Sequence, residues 1–547
     1  MKKTICMVLA LVLCLGIFAA CGKTEETSNE IKPNETGAAN VAQEEIGQLN
    51  TGSATTADSI ATPPPKDAEY YDDLSMYIGD KVAVVDPLNP GSGTSQSCII
   101  YHQIFDTLVY FTIDNQYVPC LATEWTSNDD ASEWTFKLRD DVTFHNGEHF
   151  TSDDVIFTVE SAHECVGGGI YTCLDQIETI TANGDYEVNM KLKAPNFDFL
   201  YDVSNPAAPM LNREAYESGD EHAGWIGTGP FYLDSMIPND SLSYKAFDDY
   251  WGEKALCKTF TMRYIAEETA RNIMLENDEF TFCNVGNVFV PQYEADERFV
   301  INSYVMNNCN FIGFNFRKPI TADKNFRLAV AYAIDVQAGI DIALGGYGVA
   351  HDTGCIWGYT TAYKNTNIPK FEQDLDKAKE YLAQSCYNGE EVELCAGMAQ
   401  TIKLAQVYQA QLQAIGINAT VHEFDGPSLT AATQYETNNL DMVVTSSVWT
   451  PLASSGKAYW TPGNRGDVAC YENQEIVDLF AQAAATADGP EREALYFKIQ
   501  ELSYEDLPYV PTHHMAMYIA AQKGAGGNIL FPTNYHDYGA AYRLKLD

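Results

Sequence analysis

The chain has 547 residues, 46% hydrophobic and 20% charged, too apolar for wholesale disorder; because single cores stop growing near ~250–300 residues, it should fold as two or more domains. With 33 Lys+Arg against 76 Asp+Glu the formal charge is −43, which repels a phosphate backbone and makes nucleic acid a poor partner.

The chain opens with Met1-Lys2-Lys3, an apolar run from Ile5 to Phe18, and the small residues Ala19 and Ala20. This is the pattern of a cleaved signal peptide over residues 1–20. Phe18-Ala19-Ala20-Cys21 resembles the lipobox of bacterial lipoproteins, which implies that Cys21 is acylated and becomes the mature N-terminus; Phe18 stands where that family more often has Leu. From Gly22 to Lys66 the sequence is rich in Thr, Ser, Glu and Asn, lacks periodicity and ends in Pro63-Pro64-Pro65. Residues 21–66 therefore read as a lipidated cysteine and a disordered tether spanning roughly 40 Å. Losing Lys2 and Lys3 takes the charge to 31 − 76 = −45, read as a solvated acidic surface. Of the 14 cysteines, two lie in the signal and one is Cys21, leaving eleven and so at least one unpaired thiol. Cys165/Cys173 and Cys386/Cys395 are the close pairs that could bridge a short loop, and no Cys-x-x-Cys supports a zinc ribbon or redox motif.

From Tyr77 the chain is dense in short apolar runs. Glu133 to Arg139 alternates with period two, which predicts a half-buried strand ended by Asp140-Asp141. Thr151 to Asp154 then supplies an N-cap and first turn for a helix through Val155, Phe157 and Val159. Phe326, Ala329, Val330, Ala333, Ile334 and Ile340 line one helix after Thr321-Ala322-Asp323, and Leu375, Ala378, Tyr381 and Leu382 line another. Val392–Ala396 reads as a strand, Leu404, Tyr408, Leu412 and Ile415 as a helix face stopped by Gly416, and Ile417, Ala419 and Val421 as a second strand. This unit implies a parallel pair joined by a helical crossover. Leu440 to Val444 adds a short buried strand, so this half is α/β.

Catalytic signatures are nearly absent. His163-Glu164 and His422-Glu423 begin like a zinc-protease helix, but Gly167 and Gly426 stand where the second histidine belongs. There is no Gly-x-Ser-x-Gly elbow and no phosphate-cradling Gly-rich loop. Acidic pairs such as Asp129-Asp130 read as solvated turns. His513-His514-Met515-Ala516-Met517 carries ligands suited to copper or nickel, yet adjacent residues of a strand face opposite ways, and a core strand with an exposed histidine is the expected reading. The expectation is no enzyme, no cofactor and no metal.

A series of spaced blocks rises above this background: Gln103 to Val109, Pro119 to Trp125, Trp134 to Arg139, Val142 to Gly147, Phe150 to Val155, Gly227 to Phe231, Asp249 to Gly252 and Phe326 to Asp335. Together, over about residues 77 to 520, they closely resemble the family 5 extracellular solute-binding proteins, the oligopeptide- and dipeptide-binding receptors of ABC importers. The resemblance implies an α/β, type II periplasmic-binding-protein fold with two lobes and an extra domain inserted in the first. Lobe 1 would comprise residues 67–97, 224–310 and 510–547, the inserted domain 98–223, and lobe 2 residues 311–509. It further implies capture of a small solute, a peptide by preference, and delivery to an ABC permease and its ATPase. The protein would be a monomer, lipid-anchored on the extracellular face of the cell membrane, or in the periplasm where there is an outer membrane. A sugar, a metal chelate or another small solute is the alternative cargo, and an extracellular hydrolase on the same fold the more distant one.

Ligand contacts are expected where the Leu440 to Val444 strand ends, at Ser447, Trp449 and Thr450. Trp357, Tyr459 and Trp460 complete an aromatic stock that is either wall or core, and Gly93 and Thr94 lie where relatives present backbone and hydroxyl groups. In dipeptide-binding relatives a Trp-x-x-Asp block supplies the acid that meets the ligand ammonium. Here Leu452 replaces that acid, so either another carboxylate serves or the cargo is not a free-amino peptide.

Overall fold

The computed structural model describes residues 71–79, 81–90, 95–112, 115–252, 254–255, 257–464 and 466–523. The signal, Cys21, the tether and residues 91–94 lie outside them, and every described residue falls in one unit. After β1 (Tyr71–Ile78), β2 (Val109–Phe111) and β3 (Tyr117–Pro119) form a small antiparallel pair. β4 (Ala122–Ser127), β5 (Glu133–Leu138), β6 (Ile177–Ala182) and β7 (Glu187–Leu192) form an antiparallel sheet in the order β4-β5-β7-β6. The alternation of β5 turns Trp134 and Phe136 inward, where their rings meet Phe199 at 5.9 and 6.3 Å. The helix Ser152–Glu164 begins as its sequence predicts. The Thr151 side chain accepts from the Asp153 N–H at 3.3 Å while the Asp154 carboxylate accepts from the Thr151 N–H at 2.9 Å, which supplies partners to amides the helix leaves over.

The remaining strands are β8 (Phe231–Ile237), β9 (Ser241–Ala246), β10 (Cys257–Tyr264), β11 (Phe282–Val285), β12 (Phe299–Val305), β13 (Asn308–Phe314), β14 (Gly348–Ala350), β15 (Glu391–Ala396), β16 (Asn418–Glu423), β17 (Met442–Val448) and β18 (Tyr509–Gln522). Their order is β16-β15-β17-β13-β18-β11-β1-β10-β9-β8, with β12 and β14 also paired to β18. β18 joins two lobes. Its first residues pair with β13 and β14, and its later ones with β11 and β12. The chain passes from β12, which pairs with the later part of β18, through Met306 and Asn307 to β13, which pairs with β17 and the first part of β18 and is buried at every position. The predicted strand-helix-strand unit is present as parallel β15 and β16 around the helix Ala399–Ala414, with Gly416 at a φ of +99° behind it.

Two expectations need correction. The helix read from Phe326 to Ile340 is two, Lys324–Ala333 and Val336–Leu344, because the Asp335 carboxylate accepts from the Ala338 N–H at 3.0 Å and starts the second. Both His513 and His514 are buried, since at this point β18 is flanked by β13 and β14 and the His351 ring lies 4.6 Å from that of His514. All cysteines in the described residues are free thiols, Cys165, Cys173, Cys386 and Cys395 included, and all but Cys386 are buried. No described helix is long and apolar enough to cross a membrane.

Candidate ligand-binding cleft

β17 lies between antiparallel β13 and parallel β15. Its Met442, Val443 and Val444 are buried, and the strand becomes half-exposed at Thr445 and Ser446 before the chain turns at Trp449 to Leu452. A cavity of about 760 Å³ opens over this end. The second lobe supplies Phe311, Leu429, Thr430, Thr433, Val443, Thr445, Ser446, Val448, Thr450, Ala458, Tyr459, Gly466 and Val468. Opposite them stand Cys98, Gly167, Gly168, Gly169, Thr172, Cys173, Tyr201, Asn205 and Ala207 from the part inserted before β8. Size, concavity and mixed lining suit a small organic ligand.

Of the residues proposed from sequence, Thr450 lines this cavity. Trp357, Trp449 and Trp460 pack behind its wall with almost no exposure. The Trp357 and Trp449 rings are 5.0 Å apart, and Trp449 stacks on Tyr459 at 5.1 Å, so the cleft meets this aromatic pack through Tyr459. The indole N–H groups are satisfied internally: Trp449 donates to Ser447 Oγ at 2.7 Å, Trp460 to Ser503 Oγ at 2.9 Å and Trp357 to the Ala362 carbonyl at 3.0 Å. Ser447 donates in turn to the Cys309 carbonyl at 2.8 Å, which pins the cluster to β13. Leu452 is buried in the core shared with the first lobe. Cys21, Gly93 and Thr94 lie outside the described residues. Sequence reading passed over the opposite wall, from Cys98 to Ala207, although the Gly167-Gly168-Gly169 run was a signal of close backbone approach.

Among the described residues that line the cleft, none is Asp, Glu, Lys, Arg or His. Its two thiols are not ready ligands or nucleophiles, because burial pushes Cys98 up to about 12 and Cys173 well above the usual thiol range. Charge appears instead beside the cleft. Arg492 Nη2 lies 2.7 Å from Asp198 Oδ2, both side chains nearly fully buried, and joins the helix Pro490–Asp506 of the second lobe to the inserted part. The Phe197 N–H donates to the Ala484 carbonyl at 3.1 Å next to it. Among the described residues two groups could bring metal-ligating atoms together, His351/Asp352/His514 and Glu393/Cys395/His422, and neither lines the cleft. In the first, Lys364 already holds Asp352 at 2.9 Å and His351 Nε2 meets the Trp357 carbonyl at 3.1 Å.

Two lobes joined through a shared strand with a cavity between them are the architecture of the type II periplasmic-binding-protein fold. Residues 116–467 match the bacterial extracellular solute-binding proteins, family 5 middle, and the chain belongs to that family. It is 25% identical over 478 residues to the dipeptide-binding protein of Escherichia coli K12, covering 80% of this chain and 88% of that protein. Identity is 26% over 487 residues with the glutathione-binding protein GsiB of Shigella dysenteriae, covering 84% and 92%. It is 24% over 476 residues with the nickel-binding periplasmic protein of E. coli K12, covering 81% and 89%. Among solved structures, the ABC transporter substrate binding protein CtaP from Listeria monocytogenes aligns with a TM-score of 0.79 at 21% identity, over 87% of this chain and all of that one. DppA from Helicobacter pylori aligns at 0.74 and 24% identity, over 87% and 98%. The chain is a solute-binding protein of a transport family, not an enzyme.

Proposed function

We propose that the protein captures a peptide or peptide-like solute outside the cell and delivers it to an ABC permease and its ATPase. The observation that carries this reading is the cavity of about 760 Å³ between two lobes that share β18. The names of the dipeptide- and glutathione-binding relatives support a peptide-like cargo. Thr450 contacts the cargo, with Ser447, Trp357, Trp449 and Trp460 holding the wall behind it and Gly93 and Thr94 contributing from the first lobe. A metal chelate is less well supported, since the described lining offers no imidazole or carboxylate. The protein acts as a monomer held by a lipid on Cys21 at the extracellular face of the membrane, or in the periplasm of a cell with an outer membrane.

The test is a thermal-shift and calorimetric screen of the mature body against peptides and small metabolites. A true cargo at a hundred times its Kd stabilises the folded state by about 2.7 kcal/mol. A flat response across the whole panel removes the receptor reading. For the anchor, Cys21→Ala should give protein that is released or left uncleaved, whereas a cleaved mutant still on the membrane removes the lipid from Cys21. A diacylglycerol thioether has the two chains that stable anchoring needs.

A further inference from the structure

This inference rests on the receptor reading and concerns what the cleft can recognise. A linear peptide presents an ammonium, and a receptor that encloses it must meet that charge with a carboxylate. The described lining has none, and its polar groups are hydroxyls, among them Thr172, Thr430, Thr433, Thr445, Ser446 and Thr450, with the amide of Asn205. Leu452 is 4% exposed and packed in the core of the first lobe.

Of the acids beside the cleft, Asp198 and Asp202 are committed elsewhere. Asp198 is held by Arg492 at 2.7 Å. Asp202, next to cleft-lining Tyr201, accepts from Gln176 at 2.6 Å and Asn196 at 3.5 Å, and burial pushes it up to about 7. Asp467 stands between cleft-lining Gly466 and Val468 but is itself 1% exposed, and its Oδ1 accepts the Tyr471 N–H at 3.2 Å. Its Oδ2 has no hydrogen-bond partner in the described structure, which makes it the carboxyl to watch.

The geometry points to a cargo without an ammonium group: a peptide-like solute whose amino end is acylated or closed into a ring, held by hydroxyls and main-chain amides. Such a molecule presents amide N–H and C=O groups that Thr and Ser hydroxyls can pair, and it brings no ammonium to a described lining without a carboxylate.

Two matched probe sets decide it, a mixture of C-terminally amidated Ala-X-Ala tripeptides with free amino ends and the same amides N-acetylated, with cyclo(Ala-Phe) as the ring-closed member. Calorimetry and competition should find the acetylated set or the cyclic dipeptide at least tenfold tighter than the free set. Ser446→Asp, which places a carboxylate on the half-exposed end of β17, should swing the preference tenfold or more toward free amino ends. If the free set binds as tightly or tighter, the inference falls while the receptor reading stands, and loss of that binding in Asp467→Asn names the acid responsible. If no probe of any kind binds, the peptide-like reading falls and takes this inference with it. An unmoved preference in a folded, binding Ser446→Asp variant also counts against it.

Discussion

The inserted part and the second lobe meet in two ways, and the two differ in how they treat charge. At Asp198 and Arg492 a full ion pair is buried, closed by a 2.7 Å contact and by the Arg492 Nε donating to the Ala483 carbonyl at 3.0 Å. At the cleft the described lining has no charged side chain at all. A buried charge is tolerable where its partner is fixed in the protein and always present. In a cleft that must also stand empty, an unpaired carboxylate would be carried through every cycle without cargo. The contact between the inserted part and the second lobe at Arg492 uses an ion pair, and the described cleft lining uses hydroxyls and an amide.

That contrast can be broken at either end, and the ion pair offers the larger effect. Arg492→Met leaves Asp198 buried and unmatched, and should cost on the order of 3–5 kcal/mol in chemical denaturation. The double variant with Asp198→Leu should recover much of that loss; additive losses would mean the two charges do not depend on one another. Trp449→Ala should cost a similar ~3–5 kcal/mol of stability, since it empties space between Trp357, Tyr459 and Trp460. Tyr459, on the cleft side of the same stack, should act differently. Tyr459→Ala is expected to weaken cargo binding by about 2 kcal/mol, roughly thirtyfold, and affinity within twofold of wild type would take it off the contact surface. Thr445→Val removes one hydroxyl from the cleft and should weaken binding by about 1 kcal/mol with stability nearly unchanged.

Much of this was legible where the signal is local. The stretch from Glu391 to Glu423 shows its periods, its stop at Gly416 and its parallel pairing within a single crossover. The break at Asp335 was missed because apolar spacing continues across it, and a capping carboxylate is easy to overlook inside a regular pattern. The burial of His514 was missed because it depends on β14 arriving from residues more than a hundred positions away. Composition could not tell which aromatic residues face solvent: Trp357, Trp449, Tyr459 and Trp460 carry the same signal, yet Tyr459 alone of the four lines the cleft. The wall from Cys98 to Ala207 has no motif of its own, because it becomes a wall when the inserted part meets the second lobe.

The smallest expected effect tests a case between the two extremes. Asp202 is half-buried one residue from cleft-lining Tyr201, and it forms no ion pair among the described residues. Burial, and then the negative Asp198 nearby, raise its carboxyl from 3.8 to about 7. A folded-state pKa above the unfolded one means that the folded chain binds the proton more tightly. The associated stability is present below pH 3.8 and fades as pH rises through about 7. Burial acts oppositely on His351 and His513, each lowered from 6.5 to about 4, whose contribution is lost as pH falls through that window. The net slope of stability between pH 4 and 7 is therefore a partial cancellation. Asp202→Asn keeps a group that can bond Gln176 and Asn196 while removing part of the acidic side of it, to which Asp106 and Asp467, each raised by burial to about 6, still contribute. Denaturation midpoints of the variant should accordingly rise more steeply with pH than those of the parent between pH 4 and 7. Parallel curves would mean that Asp202 is ionised in the folded protein, and that a negative charge without an ion-pair partner sits beside the cleft, which is the arrangement an ammonium-binding receptor would use.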